Sequence, residues 1–255
     1  MRAEIEYINS ASGHRLAVRQ SSGKGPNIVF LGGFRSDMEG AKARAIEAFC
    51  QKHDFTSVCF DYSGHGASDG EFENLLLSDW IDDAQRVINH FVQGPVILVG
   101  SSMGAWITMI ITSSLPSVVG VFGIASAPDF TERNIIPALT HLQKQSLEKL
   151  GHCVIPSEYD ADGYTISNRF LDDARQYVLL DGPINIEVPV CLIHGQQDDD
   201  IPWQTSIEVM NQLVSTDVHC HLIKAGDHRL SRDQDIDDVL SLLAHFSRLW
   251  FKGNA

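Results

Sequence analysis

Ser102 lies in a sequence pattern that is typical of a catalytic nucleophile. Residues 100–104 read Gly-Ser-Ser-Met-Gly, a G-x-S-x-G pentapeptide between an apolar run and a segment with helical periodicity. The flanking glycines allow a sharp strand-to-helix turn, which holds the serine in a strained conformation with its hydroxyl exposed. The pentapeptide alone arises readily by chance, and the alternative is a glycine-rich turn that packs a helix close to a strand. Its strand and helix context favours a nucleophile for acyl transfer.

A serine nucleophile needs a base within hydrogen-bond reach and a group that orients this base. Asp198 follows the strand predicted at 190–194, and His228 follows the strand predicted at 218–223. Because the carboxyl ends of parallel strands meet at one edge of a sheet, both side chains are expected near Ser102. We therefore predict that His228 takes and returns the proton, while Asp198 holds the imidazole in its useful tautomer.

The sequence leaves alternatives open for the acid. Asp199 and Asp200 are contiguous with Asp198, and Asp129 also follows a predicted strand. The alternative for His228 is that it is a surface histidine in a loop and not the catalytic base. His194 lies at a strand end, where a structural role is expected that includes bracing the loop of Asp198.

The tetrahedral intermediate of acyl transfer needs hydrogen-bond donors for its oxyanion. The backbone N–H of Met103, directly after the nucleophile, is one candidate. The second is the backbone N–H of Phe34, because Gly32 and Gly33 give the loop after the strand predicted at 27–31 the freedom to turn it inward. The alternative for this loop is an ordinary strand-to-helix turn.

The composition fits one globular domain. The chain has 255 residues, of which 44% are hydrophobic and 20% charged, and α/β folds of this size form single domains. A net charge of −14 disfavours binding to phosphate backbones, so nucleic acid is not expected as a partner. The longest apolar stretches, such as 118–127, are shorter than the roughly 20 residues that span a bilayer, so no membrane span is expected.

The N-terminal residues and the cysteines predict a cytoplasmic protein. Residues 1–6 carry acids and no apolar run, unlike a secretory signal or a mitochondrial presequence. A mitochondrial location would require a presequence that has been removed. The five cysteines are widely spaced and form no C-x-x-C pair, which argues against a disulfide framework or a zinc site.

Short runs rich in Val, Ile and Phe alternate with segments of helical periodicity. The predicted strands are 27–31, 57–62, 96–99, 118–125, 190–194 and 218–223. The predicted helices are 40–53, 75–92, 103–114, 205–214 and 231–251. Two further segments, 5–9 and 15–19, alternate polar and apolar residues as an antiparallel edge hairpin does. The predicted fold is α/β, with a mostly parallel, doubly wound sheet and an antiparallel hairpin at one edge.

The stretch 129–187 is too long for a connection with a single helix. We predict that it is a helical cap inserted into one domain, whose core is formed by 1–128 and 188–255. Its apolar residues either pack the cap onto the core or line an apolar substrate pocket. These residues are Ile135, Ile136, Leu139, Leu142, Leu147, Leu150, Tyr159, Tyr164, Phe170, Leu171 and Tyr177.

No cofactor or metal site is predicted. Residues 61–68 form a glycine-rich strand exit that lacks the lysine of a P-loop and the spacing of a dinucleotide fingerprint. A structural turn near the rim of the site is expected there. His219 and His221 share one strand face, but no cysteine or carboxylate beside them completes a metal set.

These motifs resemble the α/β-hydrolase family over nearly the entire chain. More narrowly, they resemble the mitochondrial palmitoyl-protein thioesterases of the α/β-hydrolase-domain group, also described as mycophenolic acid acyl-glucuronide esterases, and their bacterial relatives. The segments that carry the resemblance are 33–38 (Gly-Phe-Arg-Ser-Asp-Met), 60–64 (Phe-Asp-Tyr-Ser-Gly), 97–102 (Ile-Leu-Val-Gly-Ser-Ser), 198–203 (Asp-Asp-Asp-Ile-Pro-Trp), 213–218 (Leu-Val-Ser-Thr-Asp-Val) and 226–229 (Gly-Asp-His-Arg).

The resemblance implies a serine hydrolase that cleaves S-acyl thioesters on cysteine, and certain oxygen esters, through an acyl-enzyme. It implies Ser102, Asp198 and His228 as nucleophile, acid and base, and an acyl ester or thioester, including an S-acylated protein, as substrate. The alternatives are a non-catalytic binding module with a hydrolase fold or, within the class, a lipase or peptidase. The presence of all three triad residues favours the enzyme.

Overall fold

The centre of the molecule is a mixed eight-stranded sheet. The computed structural model describes residues 3–156 and 163–252. The strands are β1 (Ile5–Asn9), β2 (Arg15–Ser21), β3 (Asn27–Leu31), β4 (Thr56–Phe60), β5 (Val96–Ser101), β6 (Val118–Ile124), β7 (His152–Ile155), β8 (Tyr164–Ser167), β9 (Val190–Gly195) and β10 (Val218–Ile223). The sheet order is β1-β2-β4-β3-β5-β6-β9-β10, while β7 and β8 pair separately. From β4 to β10 all neighbours are parallel, and β1 and β2 add an antiparallel edge.

The helices of the main domain alternate with these strands, as the sequence predicts. They are α1 (Ala41–Lys52), α2 (Leu77–Phe91), α3 (Met103–Thr112), α7 (Gln204–Gln212) and α8 (Asp233–Lys252), with the shorter α4 (Ile136–Ala138), α5 (His141–Leu150) and α6 (Asn168–Ala174) between β6 and β9. The predicted strands, helices and edge hairpin are confirmed, with ends that shift by at most two residues. The doubly wound α/β fold is therefore confirmed.

Helices cover both faces of the sheet. On one face, α1 and α8 pack apolar side chains such as Ile46 and Leu243 against the strands. On the other face, α2, α3 and α7 contribute Trp80, Trp106 and Val209, all fully buried. Strands β3 and β5 are buried along their whole length, which explains their continuous apolar runs. None of the described helices combines the length and apolar composition needed to cross a bilayer.

The stretch between β6 and β9, residues 129–187, is here called the inserted segment. Its described part contains the α-helices α4, α5 and α6 and, in addition, the antiparallel hairpin of β7 and β8, which the sequence analysis did not predict. In this hairpin Cys153 and Ile166 pair across the two strands, and both side chains are buried. Tyr159, one of the apolar residues named from the sequence, lies outside the described residues.

The apolar residues of the inserted segment do not all face inward. Leu139 and Leu147 are buried, but Leu142 and Leu150 are 77% and 67% exposed. The expectation that these two leucines pack or line a pocket is therefore wrong. Leu147 occupies the face of α5 that meets the core, and this orientation leaves Leu142 and Leu150 at the surface.

Candidate active site

Ser102 lies in the tight turn between β5 and α3. Its φ of 55° and ψ of −119° are strained, because a positive φ crowds the Cβ of any residue other than glycine. A Cβ at Gly104 would lie 2.1 Å from the carbonyl oxygen of Leu31, and one at Gly100 would lie 2.5 Å from the backbone of Ala105. The close approach of α3 to the sheet therefore requires both glycines of the pentapeptide.

Three side chains named from the sequence form one hydrogen-bonded row. His228 Nε2 lies 2.9 Å from Ser102 Oγ, and His228 Nδ1 lies 2.7 Å from Asp198 Oδ2. Asp198 follows β9 and His228 follows β10, at the carboxyl edge of the sheet where β5 ends at the serine. An ionised carboxylate only accepts, so Nδ1 of the histidine donates to it and Nε2 is left to accept the serine proton. The row can pass a proton from hydroxyl to imidazole.

Four donors surround the carboxylate of Asp198. Its Oδ1 accepts the backbone N–H of Asp200 at 3.0 Å and that of Ile201 at 2.7 Å. Its Oδ2 lies 2.9 Å from His194 Nε2 as well as 2.7 Å from His228 Nδ1. Burial would raise the pKa of Asp198, but hydrogen bonds from His194 and His228 outweigh burial and hold its pKa well below the usual range. The carboxylate is therefore ionised at neutral pH.

The other carboxylates considered from the sequence have different surroundings. Asp129 is buried with a φ of 58°, and its two oxygens accept the backbone N–H groups of Leu179 and Leu180, each at 2.8 Å. It ties the start of the inserted segment to its end. Asp199 and Asp200 line a cavity beside the row, and the backbone N–H of Asp200 donates to the carboxylate of Asp198.

The two segments that carry the predicted oxyanion donors lie beside the serine. Met103 directly follows Ser102 and begins α3. On the other side, a Cβ at Gly33 would lie 3.3 Å from the Cβ of Ser102, so the loop after β3 passes beside the serine. Phe34 follows this glycine and lines the cavities that meet at Ser102.

The loop at 61–68 is a structural turn, as predicted, and it also supports the loop after β3. Asp61 Oδ1 accepts the backbone N–H of Met38 at 2.7 Å. Burial lowers the pKa of His65 to about 4, so its ring is neutral, and its Nε2 accepts the backbone N–H of Arg35 at 3.2 Å. The sequence analysis did not identify these contacts, although an acid and a histidine in a glycine-rich strand exit were a signal for them.

Two cavities meet at Ser102 and His228. The larger, about 840 Å³, lies under the inserted segment and is lined by apolar side chains that include Phe130, Ile135, Ala138, Leu139, Ile155 and Pro156. The smaller, about 530 Å³, lies beside the loop after β3 and the start of α1, and its charged lining residues are Arg35, Asp37, Lys42 and Arg229. Phe34 and Tyr164 line both cavities. Asp199, Asp200, Asp227 and Arg229 also line the larger cavity, but its exposed lining is more apolar than that of the smaller one.

One group of potential metal ligands occurs in the described part of the chain. Asp198, Asp200 and His228 each offer a ligand atom, and these atoms lie within 4.8 Å of one another. A metal there would compete with the 2.7 Å hydrogen bond between Asp198 and His228. Asp198 and His228 are arranged instead for proton transfer with Ser102.

Comparisons with known proteins identify the family to which the chain belongs. Residues 28–242 match the alpha/beta hydrolase family. The human and mouse proteins called "Palmitoyl-protein thioesterase ABHD10, mitochondrial" are 37% and 36% identical to the chain over 254 aligned positions, covering 95% of this chain and 82% and 84% of those proteins.

Two solved structures extend the likeness to three dimensions. A putative hydrolase from Agrobacterium vitis S4 is 33% identical, with a TM-score of 0.92 over 96% of this chain and 99% of that one. Alpha/beta hydrolase domain-containing protein 10 from mouse is 34% identical, with a TM-score of 0.88 over 96% of this chain and 98% of that one. Together with the doubly wound sheet and the strained serine turn, these matches show that the chain is a hydrolase of the alpha/beta hydrolase family.

Proposed function

We propose that the chain is a serine hydrolase in which Ser102 is the nucleophile, His228 the general base and acid, and Asp198 the residue that orients the imidazole. The observation that carries this proposal is the continuous row from Ser102 through His228 to Asp198, with distances of 2.9 and 2.7 Å. A serine hydroxyl is a weak nucleophile at its ordinary pKa, so a base in contact with it is what makes attack possible.

In the acylation step, Oγ of Ser102 attacks the carbonyl carbon of an ester or thioester while its proton passes to Nε2 of His228. The tetrahedral intermediate collapses when its bond to the leaving oxygen or sulfur breaks. The leaving group takes the proton from His228 and departs as an alcohol or thiol. The acyl group remains as an ester on Ser102.

In the deacylation step, a water molecule attacks the acyl carbon and gives a proton to Nε2 of His228. Collapse of the second tetrahedral intermediate breaks the ester bond, and Oγ of Ser102 recovers the proton. A carboxylic acid is released, and one water is consumed in each cycle. Throughout the cycle the ionised Asp198 stabilises the imidazolium form of His228 by the hydrogen bond to its Nδ1.

The backbone N–H groups of Phe34 and Met103 are the proposed donors to the oxyanion in both steps. The position of Met103 directly after Ser102 and the close approach of Gly33 to Ser102 support this role. Loss of one such donor typically lowers kcat by about 10² to 10³-fold. A backbone donor suits this task because its direction is held by the fold before the charge develops.

We assign the acyl chain to the larger cavity and the leaving group to the smaller one. Charged residues line both cavities, but the lining of the larger cavity is the more apolar and favours a hydrocarbon chain, while the more polar lining of the smaller cavity favours a polar group. The inserted segment supplies much of the apolar lining, which supports its role as a cap over a core formed by 1–128 and 188–255.

For the substrate we propose acyl thioesters and carboxylic esters, S-acylated proteins among them. The printed names of the mammalian relatives support the thioester part of this proposal, because they describe palmitoyl-protein thioesterases. The same names carry the word mitochondrial, which favours the mitochondrial alternative over the cytoplasmic location that the sequence predicts.

The test is hydrolysis of p-nitrophenyl esters of increasing acyl length and of the matching S-acyl cysteine peptides. Wild type is compared with Ser102→Ala. Ser114→Ala serves as the control, because it removes one serine hydroxyl at a position that lines neither cavity. We expect turnover and covalent labelling by a fluorophosphonate in wild type and Ser114→Ala, and neither in Ser102→Ala.

A folded wild type that hydrolyses no ester or thioester and resists the fluorophosphonate would contradict the proposal. That outcome would favour a binding module that keeps the hydrolase fold without its chemistry. Circular dichroism and a thermal melt of each variant separate loss of chemistry from loss of folding.

A further inference from the structure

Ser36, in the loop after β3, controls the direction of a peptide group beside the nucleophile. Its hydroxyl donates to the carbonyl oxygen of Gly33 at 2.8 Å, and its backbone N–H donates to the same oxygen at 3.1 Å. The carbonyl of Gly33 and the N–H of Phe34 belong to one trans peptide group, in which they point in opposite directions. By holding the carbonyl toward itself, Ser36 holds the N–H of Phe34 pointing the other way.

The peptide group on the other side of Phe34 is held by His65. The backbone N–H of Arg35 donates to His65 Nε2 at 3.2 Å. Because a backbone N–H can only donate, Nε2 carries no proton, and Nδ1 donates to the carbonyl of Ser63 at 3.1 Å. The ring of His65 is buried and makes an edge contact with Phe72, with ring centroids 5.1 Å apart, which fixes the acceptor in place.

The side chain of Phe34 supplies a third attachment. Its ring packs edge-on against Phe72, Phe130 and Tyr164, with centroid separations of 4.9, 5.8 and 5.6 Å. The next residue, Arg35, has a φ of 54°, a conformation that a residue with a Cβ adopts only where its surroundings enforce it. The loop is therefore held in a strained path by specific contacts.

We propose that Ser36 and His65 are positioning residues that aim the backbone N–H of Phe34 at the oxyanion formed on a substrate at Ser102. This inference rests on the proposed function, because it concerns the same acyl transfer. A donor stabilises the transition state only when its direction matches the developing charge, so the two residues act on kcat more than on substrate binding. The hydroxyl bond to the Gly33 carbonyl also polarises the peptide and strengthens its N–H as a donor.

The chain offers a matched control for the Ser36 hydroxyl. Ser114 donates its hydroxyl to the carbonyl of Ile111 at 2.8 Å and its backbone N–H to the same oxygen at 3.0 Å, as Ser36 does to Gly33 three residues earlier. Its hydroxyl also accepts from Gln85 Nε2 at 2.9 Å, so Ser114→Ala loses one hydrogen bond more than Ser36→Ala. Ser114 lines neither cavity, and both serines are exposed, so an alanine at either site should leave the fold intact. Comparison of the two alanine variants separates the effect of losing a local hydrogen bond from the effect of misdirecting the backbone N–H of Phe34.

The experiment compares wild type, Ser36→Ala, Ser36→Thr and Ser114→Ala. Steady-state hydrolysis of one p-nitrophenyl ester gives kcat and KM, and inhibition by an alkyl boronic acid reports binding of a tetrahedral adduct at Ser102. For Ser36→Ala we expect kcat to fall about tenfold with KM within twofold, and the boronic acid Ki to rise by a similar factor. In Ser36→Ala the backbone N–H of residue 36 still donates to the Gly33 carbonyl, so the fall in kcat should be smaller than that caused by removing an oxyanion donor entirely. Ser36→Thr, which keeps the hydroxyl, and Ser114→Ala should behave like wild type.

His65 is tested by a second pair. His65→Gln keeps an oxygen acceptor near the position of Nε2, while His65→Leu removes it, so we expect the kcat loss in the leucine variant and its recovery in the glutamine variant. Should the buried leucine variant fail to fold, the Ser36 series decides the question.

The outcomes distinguish this inference from the function on which it rests. A wild type without turnover or fluorophosphonate labelling would overturn both. An active wild type whose Ser36→Ala variant equals Ser114→Ala in kcat would overturn the positioning role alone. A fall in kcat without a matching rise in the boronic acid Ki would also overturn it, because the hydroxyl would then act elsewhere than on the tetrahedral adduct.

Discussion

His194 and His228 donate to the same oxygen of Asp198. The nitrogen-to-oxygen distances are 2.9 Å for His194 Nε2 and 2.7 Å for His228 Nδ1. His194 Nδ1 lies 2.7 Å from the hydroxyl of Ser206, which can donate to it once Nε2 carries the proton. The buried His194 at the end of β9 therefore helps to hold the Asp198 carboxylate in place against His228.

The first prediction concerns His194. Replacement His194→Leu removes a donor from a fully buried carboxylate, so the free energy of unfolding should fall by about 2 kcal/mol. His194→Gln can still donate to Asp198 and should recover much of this loss. Urea denaturation of both variants at pH 7 measures the difference. Equal stability of the two variants would mean that the hydrogen bond to Asp198 contributes little.

The second prediction separates Asp198 from Asp129. Asp198→Asn should lower kcat by about 10³ to 10⁴-fold, because the amide no longer selects the reactive tautomer of His228. Asp129→Asn should keep kcat within a few-fold but lower the free energy of unfolding by about 1 to 3 kcal/mol, since one of the N–H groups of Leu179 and Leu180 loses its acceptor. Steady-state kinetics and urea denaturation of both variants give the answer. The reverse pattern would move the role of the acid to Asp129.

Much of the fold could be predicted because the buried parallel strands are short, apolar and separated by amphipathic helices. Strand β3 has the predicted bounds, and the turn at Ser102 was predicted from the glycines at 100 and 104. The structure explains these glycines, because the packing of α3 leaves no room for a Cβ at either position. These features are local, so neighbouring residues specify them. The three residues of the hydrogen-bonded row were predicted because the carboxyl ends of parallel strands share one edge.

The contacts that could not be predicted join residues far apart in the chain. Asp129 and Leu179 are 50 residues apart, and no pattern in the sequence around Asp129 predicts that its carboxylate accepts the backbone N–H of Leu179. His65 and Arg35 are 30 residues apart. The hairpin of β7 and β8 was missed because each strand has only four residues, too few for a clear alternation.

The third prediction tests the larger cavity as the acyl pocket. Leu139 is buried and lines this cavity, while Leu142, three residues later, is exposed and does not. Leu139→Trp should shorten the preferred acyl chain, and loss of contact with three methylene groups would lower kcat/KM for long chains by roughly fiftyfold at about 0.8 kcal/mol each. Leu142→Trp serves as the control and should leave the chain-length profile unchanged. A p-nitrophenyl ester series measures both, and an unchanged profile in Leu139→Trp would place the acyl chain elsewhere.

The fourth prediction concerns the turn that carries the nucleophile. A Cβ at Gly104 would meet the Leu31 carbonyl oxygen at 2.1 Å, whereas a Cβ at Gly182 would meet no atom within 4 Å. Gly104→Ala should therefore lower the free energy of unfolding by about 3 kcal/mol and displace α3 from the sheet. Gly182→Ala should stay within about 0.5 kcal/mol of wild type. Thermal and urea denaturation test the pair, and a wild-type stability for Gly104→Ala would show that α3 moves away without strain.

The fifth prediction links Asp83 to the pH dependence of stability. Asp83 is buried, its Oδ2 accepts the backbone N–H of Ser63 at 2.8 Å, and burial raises its pKa to about 6. An unfolded aspartate has a pKa near 3.9, so the folded state binds the proton more tightly. This contribution to stability is fully present below the unfolded pKa and is lost as pH rises through about 6.

The asparagine in Asp83→Asn cannot ionise, so the free energy of unfolding of this variant does not fall as Asp83 ionises in the wild type. Between pH 5 and pH 8 the free energy of unfolding of Asp83→Asn should rise relative to wild type by roughly 1.4 kcal/mol, because burial of the charge penalises only the wild type. Urea denaturation of both proteins at the two pH values measures this difference, in which the contributions of the other titrating groups cancel. A difference that is the same at pH 5 and pH 8 would mean that Asp83 ionises as readily in the folded protein as in the unfolded chain.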